Sequence, residues 1–259
     1  MQENLANLTG GEVVTNPPAF MQFVTRTWPF EYQENILNDN SKRIIWRAGR
    51  QIGKTAVIAI KILFRAFTRY KEQILIIAPT LRQSNILFSK ILSAISSNEI
   101  IKKYTNENEG GRLTKTMVTF YHTMSEIIAV PAGRYGYNIM GYSPTLVVWE
   151  EAAYIPDEVY SAIEPSVAAT DGDMIYIAKP FGKRGKFWEL WNMDQKDFPH
   201  YWTKSKECPL ITAKFLAEKK AEIPETEYLQ EYEGEFIEEA DAFFSKELII
   251  KFMGDADEQ

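Results

Sequence analysis

The stretch Arg47-Ala48-Gly49-Arg50-Gln51-Ile52-Gly53-Lys54-Thr55 constrains this chain more than any other. An apolar run, Ile44-Ile45-Trp46, precedes it, and a helix-like run, Ala56 to Ala66, follows. Strand, glycine-bearing loop and helix in that order describe a phosphate-binding loop. Its backbone N–H groups meet phosphate oxygens, its Lys reaches the β- and γ-phosphates, and its hydroxyl meets Mg²⁺. Ala48, Gly49, Arg50, Gln51, Ile52, Gly53, Lys54 and Thr55 are therefore the expected nucleotide contacts. The general G-x-x-x-x-G-K-[ST] pattern places a Gly where Ala48 stands, and here Gly49 comes one residue later.

Composition excludes several other classes. The chain has 259 residues, 45% hydrophobic and 25% charged, enough for a large α/β core. No apolar run approaches the roughly 18 residues that cross a bilayer, and the Met1-Gln2-Glu3-Asn4 start is not that of a secretory signal. A single cysteine, Cys208, forms no internal disulfide, and with only His122 and His200 beside it a zinc site is not expected. The net charge of −6 does not by itself attract nucleic acid. Any DNA contact must come from a local patch, and Lys183, Arg184 and Lys186 form the densest one.

Apolar runs alternate with amphipathic ones from about residue 43. Strands are expected at 43–47, 73–78, 117–121, 126–130, 145–149 and 174–178, with helices at 54–70, 81–95 and 187–193. Ile86, Leu87, Ile91 and Ile95 are expected to share one helix face. The alternation predicts a mostly parallel sheet covered by helices on both faces, with ligands at the carboxyl ends of strands. Residues 1–190, opening with an aromatic-rich entry segment, read as the core. Residues 191–259, with charged helices around Pro224, read as a small helical lid.

Leu146-Val147-Val148-Trp149-Glu150-Glu151 supplies the second half of such a site. A buried strand delivers Glu150 beside the loop, where it can hold Mg²⁺ together with Thr55. Glu151 can then orient or deprotonate an attacking water. A second acid placed for water favours hydrolysis over transfer to a metabolite.

Together these residues resemble the large terminase subunit, the DNA-packaging motor of tailed double-stranded DNA viruses. Gly49 to Thr55 resembles its variant phosphate loop, and Glu31-Tyr32-Gln33-Glu34-Asn35-Ile36-Leu37 its adenine-recognition motif, with Gln33 reading the base. Ile76-Ile77-Ala78-Pro79-Thr80 with Gln83, Val147 to Ala153 with Ile155-Pro156, and Tyr228 to Phe236 through Phe243-Phe244-Ser245 resemble further segments of its ATPase region. The resemblance implies an α/β P-loop NTPase of the ASCE, RecA/helicase-like type with a small helical lid. It implies ATP and Mg²⁺ as cofactors. It also implies double-stranded DNA, a portal protein and a small terminase subunit as partners, in the host cytoplasm and away from membranes. The subunits would form a homo-oligomeric ring on the procapsid and a monomer in isolation. Arg50 would couple hydrolysis to motion, and Arg134 would be the candidate trans-acting arginine.

The sequence departs from that family in four places. Glu150-Glu151 replaces the more usual Asp-Glu pair. The coupling segment reads Ala178-Lys179-Pro180-Phe181-Gly182, without hydroxyl residues before the Pro. Met140 stands where the family can carry its arginine. The nuclease domain is expected to be absent, leaving the ATPase portion alone. DNA contact would fall to Arg82, Lys183, Arg184 and Lys186. A helicase-like or recombination ATPase, a nucleotide-binding ring subunit with little hydrolysis, and a small-molecule kinase are the rival readings.

Overall fold

The computed structural model describes residues 10–133, 136–194, 196 and 198–238. The described strands are β1 (Arg43–Ala48), β2 (Gln73–Ala78), β3 (Arg112–Leu113), β4 (Met117–Phe120), β5 (Ser125–Pro131), β6 (Leu146–Glu150), β7 (Asp173–Ala178) and β8 (His200–Thr203). They form one sheet in the order β3-β4-β5-β2-β6-β7-β1-β8. All pairings from β5 to β8 are parallel, and β3-β4-β5 pair antiparallel at one edge. β7 stands between the loop strand β1 and the Glu150 strand β6, which is the additional-strand arrangement expected of an ASCE ATPase.

Strands buried on both faces read as continuous apolar runs, and β2, β6 and β7 do so. Alternate residues divide between two cores. Ile44, Trp46, Ile74, Ile76, Val148 and Ile175 pack under α4 (Lys54–Thr68) and α5 (Leu81–Ser96). Ile45, Leu75, Ile77, Val147, Trp149 and Tyr176 pack under α7 (Asp157–Thr170) and α8 (Gly185–Trp191). The entry segment forms α1 (Gly10–Thr15), α2 (Pro17–Thr25) and α3 (Glu31–Asn38), which dock on the α4 side through Phe20, Met21, Ile36 and Leu37. α6 (Glu99–Lys103) follows α5.

Three expectations change. β8 falls inside the stretch assigned to the lid, yet pairs parallel with β1 and so belongs to the sheet. α7 had no counterpart in the sequence reading. Ile86 does not share the buried face of α5: Leu87, Ile91 and Ile95 are buried, whereas Ile86 is 50% exposed. At 100° per residue, adjacent residues cannot both point to the centre of a narrow core stripe. Beyond Thr203, α9 (Ala213–Glu222) and α10 (Glu225–Tyr228), continued by a π-helical turn at Leu229–Glu233, enclose a separate small core of Leu216, Tyr228 and Tyr232.

Candidate functional site

The carboxyl edge of the sheet carries the site, because parallel strands all deliver their last residues there. β1 ends at Ala48, and the chain then turns through Gln51 (φ 61°) and Gly53 (φ 80°) into α4. Both turns use the left-handed region, which costs a non-glycine residue energy and is stored where surrounding contacts hold it. Gly53 caps α4 without a side chain, and the first turn of that helix contains no acid. Its N-terminal amides and positive dipole end are thus left for an anion.

The loop is held from behind. Tyr32 Oη donates to the Ile52 carbonyl at 2.7 Å, and Gln33 Nε2 donates to the same oxygen at 3.1 Å. Gln33 Oε1 accepts from the Phe30 N–H at 3.0 Å. The Gln33 side chain, expected to read adenine, thus has both ends bonded to backbone in this structure. The amide is buried and braces the loop from behind.

Opposite the loop, β6 delivers two adjacent carboxylates in different conformations. Glu150 is the last strand residue and is 4% exposed, with Oε1 accepting from Thr55 Oγ1 at 3.2 Å. Glu151 leaves the strand at φ 52°, which turns its carboxylate toward Lys54, where Oε1 and Nζ lie 3.0 Å apart. Burial, reinforced by the Glu151 charge and opposed by Lys54, pushes the Glu150 carboxyl up to about 7. Burial also acts to raise Glu151, but Lys54 and a hydrogen bond from the Lys179 backbone outweigh it and hold it below the usual range. Burial alone would lower Lys54, yet the two carboxylates win and raise it. Two neighbouring acids pushed in opposite directions can serve two roles.

Glu150 Oε2 is buried without a hydrogen-bond partner among the described residues. An unpaired carboxylate oxygen beside a threonine hydroxyl fits a hard divalent cation, which also favours oxygen ligands supplied by phosphate and water. Among the described residues no group of three or more His, Cys, Asp or Glu is placed to hold a metal ion by itself.

Ala48 to Thr55, Glu150, Glu151 and Lys179 line one cavity of about 660 Å³. Ala56, Gln83, Ile86, Lys90 and Tyr154 complete its walls, and the last four of these carried no expected role at this site. The remaining coupling residues lie near it without lining it. Ala178 ends β7, Gly182 turns at φ 61°, and the Pro180 carbonyl accepts from Gln230 Nε2 at 2.8 Å. Arg50 is ion-paired with Glu231, its N–H donates to the Glu231 carbonyl at 2.8 Å, and its carbonyl accepts from Ser205 Oγ at 2.8 Å. Glu231 also pairs with Lys179. No local pattern marks Glu231, whose partners are far away in sequence.

The four expected DNA contacts sit at the starts of two helices. Arg82 begins α5 on one face of the sheet. Lys183 and Arg184 precede α8 on the other and Lys186 lies in its first turn, and Lys183 and Lys186 face Glu238 at 2.6 Å and Glu164 at 3.9 Å. Arg134 lies outside the described residues, as do Phe243-Phe244-Ser245.

Residues 45–250 match a family model described as terminase large subunit, T4likevirus-type, N-terminal. A terminase large subunit of Thermus phage G20c is 27% identical over 246 residues, covering 84% of this chain and 50% of the relative. The chain thus spans about half the length of the curated relatives it matches. The solved large terminase ATPase domain of Thermus phage P74-26 superposes with a TM-score of 0.73 at 26% identity, covering 84% of this chain and 97% of that one. A large terminase of a thermophilic bacteriophage, solved in complex with ADP, shares the fold at 13% identity and a TM-score of 0.62, covering 80% of this chain and 53% of that one. The matched stretch runs from the loop strand past the lid and contains both halves of the cavity. By that match and by its fold, the chain belongs to the terminase large-subunit family, in the region described as N-terminal.

Proposed function

We propose that this chain is the ATP-hydrolysing motor domain of a viral terminase and drives double-stranded DNA into a procapsid. The observation that carries the reading is the pairing of Lys54 with Glu151 and of Thr55 with Glu150 across one cavity at the carboxyl edge of the sheet. The loop amides and Lys54 hold the β- and γ-phosphates of ATP. Thr55 and Glu150 would hold Mg²⁺, which when bound neutralises phosphate charge. Glu151, freed from Lys54 once that ammonium turns to phosphate, orients a water and accepts its proton. The water oxygen bonds to the γ-phosphorus as the bond to the bridging oxygen breaks, and ADP and phosphate leave.

The ADP complex of the distant relative supports nucleotide as the ligand. Family membership supports a portal protein and a small terminase subunit as partners, a homo-oligomeric ring on the procapsid, and the host cytoplasm as the place of action. A neighbour's arginine acting in trans is worth roughly 10³–10⁵ in phosphoryl-transfer rate, so an isolated subunit hydrolyses slowly. Its core would extend through β8, which pairs with β1, and its lid would be the helical part around Leu216, Tyr228 and Tyr232.

Ligand-induced melting tests the site. ADP with Mg²⁺ at about a hundred times its Kd should stabilise the protein by about 2.7 kcal/mol. Lys54→Ala should remove that stabilisation. An undiminished shift in the variant sinks the phosphate-loop assignment.

A further inference from the structure

One charged side chain lies in the buried part of β1. Arg43 at its start is exposed, whereas Arg47, among the apolar residues that follow, is only 9% exposed. Alternate strand residues face opposite sides of a sheet. Trp46 and Ala48 join the core under α4, so Arg47 leaves toward α8 and is not among the described residues of the nucleotide cavity. Its guanidinium carbon lies 4.3 Å from the centre of the Trp191 ring and 3.8 Å from that of Trp202. Attraction to the ring faces offsets part of the cost of burying the charge. It does not satisfy the N–H groups, which lie in the guanidinium plane. Nε is buried without a hydrogen-bond partner among the described residues. Burial, opposed by the Glu235 charge, pushes Arg47 down to about 10, so the group remains a cation at neutral pH.

Arg47 lines a second cavity, of about 310 Å³, whose walls are Trp188, Trp191, Trp202 and Phe236. The Trp202 indole N–H donates to the Glu233 carbonyl at 2.6 Å, which fixes the ring, yet the residue is still 39% exposed. Trp and Arg around a recess are the residues that concentrate binding energy at protein interfaces. Charge narrows the ligand further. Lys183 and Glu235 also line the cavity, and Lys204 lies over the Trp202 ring. Lys183 is paired with Glu238 and Lys204 with Glu233. His200 stacks on Trp191, and burial holds it toward its neutral form. Arg47, Lys183 and Lys204 are thus balanced by Glu233, Glu235 and Glu238, and the cavity has no excess charge to gather a polyanion. What it lacks is an acceptor in the plane of one recessed guanidinium. A single carboxylate supplies two oxygens that match the guanidinium fork.

We infer that this cavity is a docking site for an acidic peptide segment of another protein, with Arg47 gripping an Asp or Glu carboxylate and the Trp rings covering an apolar residue beside it. The site stands apart from the nucleotide cavity, although Arg47 directly precedes Ala48, the first residue of that cavity's wall.

An array of capped pentapeptides, with a central Asp or Glu and varied neighbours, tests this on the full chain. Binders should carry an aromatic or aliphatic residue next to the acid, and changing the acid to its amide should abolish binding. The strongest binder is then labelled and titrated by fluorescence anisotropy. Arg47→Gln should weaken it on the order of tenfold to a hundredfold, the range of hydrogen bonds to a charged group. Arg47→Lys should not restore it, because the planar fork is lost. Arg47 is buried, so a second variant on the exposed Asn192 of the same cavity separates binding from folding. Asn192→Glu brings a competing carboxylate to the cavity and should weaken the peptide at least about tenfold, while circular dichroism shows the fold intact. An array in which no binder needs its acid overturns the proposal, as does a peptide indifferent to both Arg47→Gln and Asn192→Glu. Inorganic phosphate that displaces the peptide at a lower concentration than acetate would replace the carboxylate site by a phosphate site. Self-association of the parent protein that Asn192→Glu abolishes would give the cavity to a second copy of this chain and overturn the proposal equally.

Discussion

Glu150 and Glu151 are chemically identical neighbours, and the backbone alone makes them different. Glu150 keeps strand geometry and is driven into the sheet edge beside Thr55. Glu151 adopts φ 52°, a region that an L-residue occupies at a cost, and thereby swings its carboxylate to Lys54. A strained residue at a cavity wall is one that surrounding contacts hold for a purpose. Glu151→Gln should therefore keep ADP binding while lowering ATP turnover by roughly 10²–10⁴, the usual contribution of a positioned general base. Steady-state phosphate release with a parallel binding titration checks this, and near-normal turnover removes Glu151 from the chemistry. The identity of these acids, and of Lys54 and Thr55, was legible in the sequence because each sits at a fixed offset from a strand end. The orientation of Gln33 was not. Whether its amide faces a base or the Ile52 carbonyl depends on the neighbouring Tyr32 hydroxyl and the Phe30 N–H, which no local pattern encodes.

At the scale of elements, the displaced glycine of the phosphate loop acquires a reason. A Cβ on Gly49 would lie 2.5 Å from the Tyr232 carbonyl oxygen and 2.6 Å from Ser205 Oγ. The loop and the lid turn thus pack backbone to backbone, and the glycine is required by that approach rather than by phosphate. Gly49→Ala should cost on the order of 1–3 kcal/mol, as over-packing does. The melting temperature should fall by several degrees, at roughly 2–4 °C per kcal/mol for a domain of this size. An unchanged melting temperature in the variant contradicts this packing account. The stretch read as lid from 191 onward also contains a strand of the sheet. β8 has the short sequence His200-Tyr201-Trp202-Thr203, in which polar and aromatic residues mask a strand, and only pairing with β1 reveals it. α7 was hidden by Pro165 inside it, although Asp157 and Glu158 in its first turn and Val159, Ile163 and Val167 on its buried side fit a helix. The longer strands β2, β5, β6 and β7 were legible because burial on both faces leaves an uninterrupted apolar run.

For the whole molecule, a net charge of −6 means that the DNA contact proposed above must come from a local cationic patch. Arg82 lies at the start of α5 and Lys183, Arg184 and Lys186 at the start of α8, helices that cover opposite faces of the sheet, so the two groups can be tested separately. On the α8 side, Lys183 and Lys186 face Glu238 and Glu164, exposed pairs that are each worth little and that phosphate can displace. Binding through that side predicts a shallow salt dependence. Each neutralised phosphate contributes a slope of about −0.9 to log K against log salt, so three contacts give roughly −2.7. Replacing Lys183 and Lys186 by Gln should flatten the slope by nearly 2 units and weaken all sequences alike, because phosphate contacts carry no sequence information. Arg82→Gln should leave the slope unchanged. Fluorescence anisotropy of a labelled duplex across a salt series reads both effects. A slope that responds to Arg82 and not to Lys183 and Lys186 would move the DNA face to the α5 side of the sheet, beside the cavity wall formed by Gln83, Ile86 and Lys90.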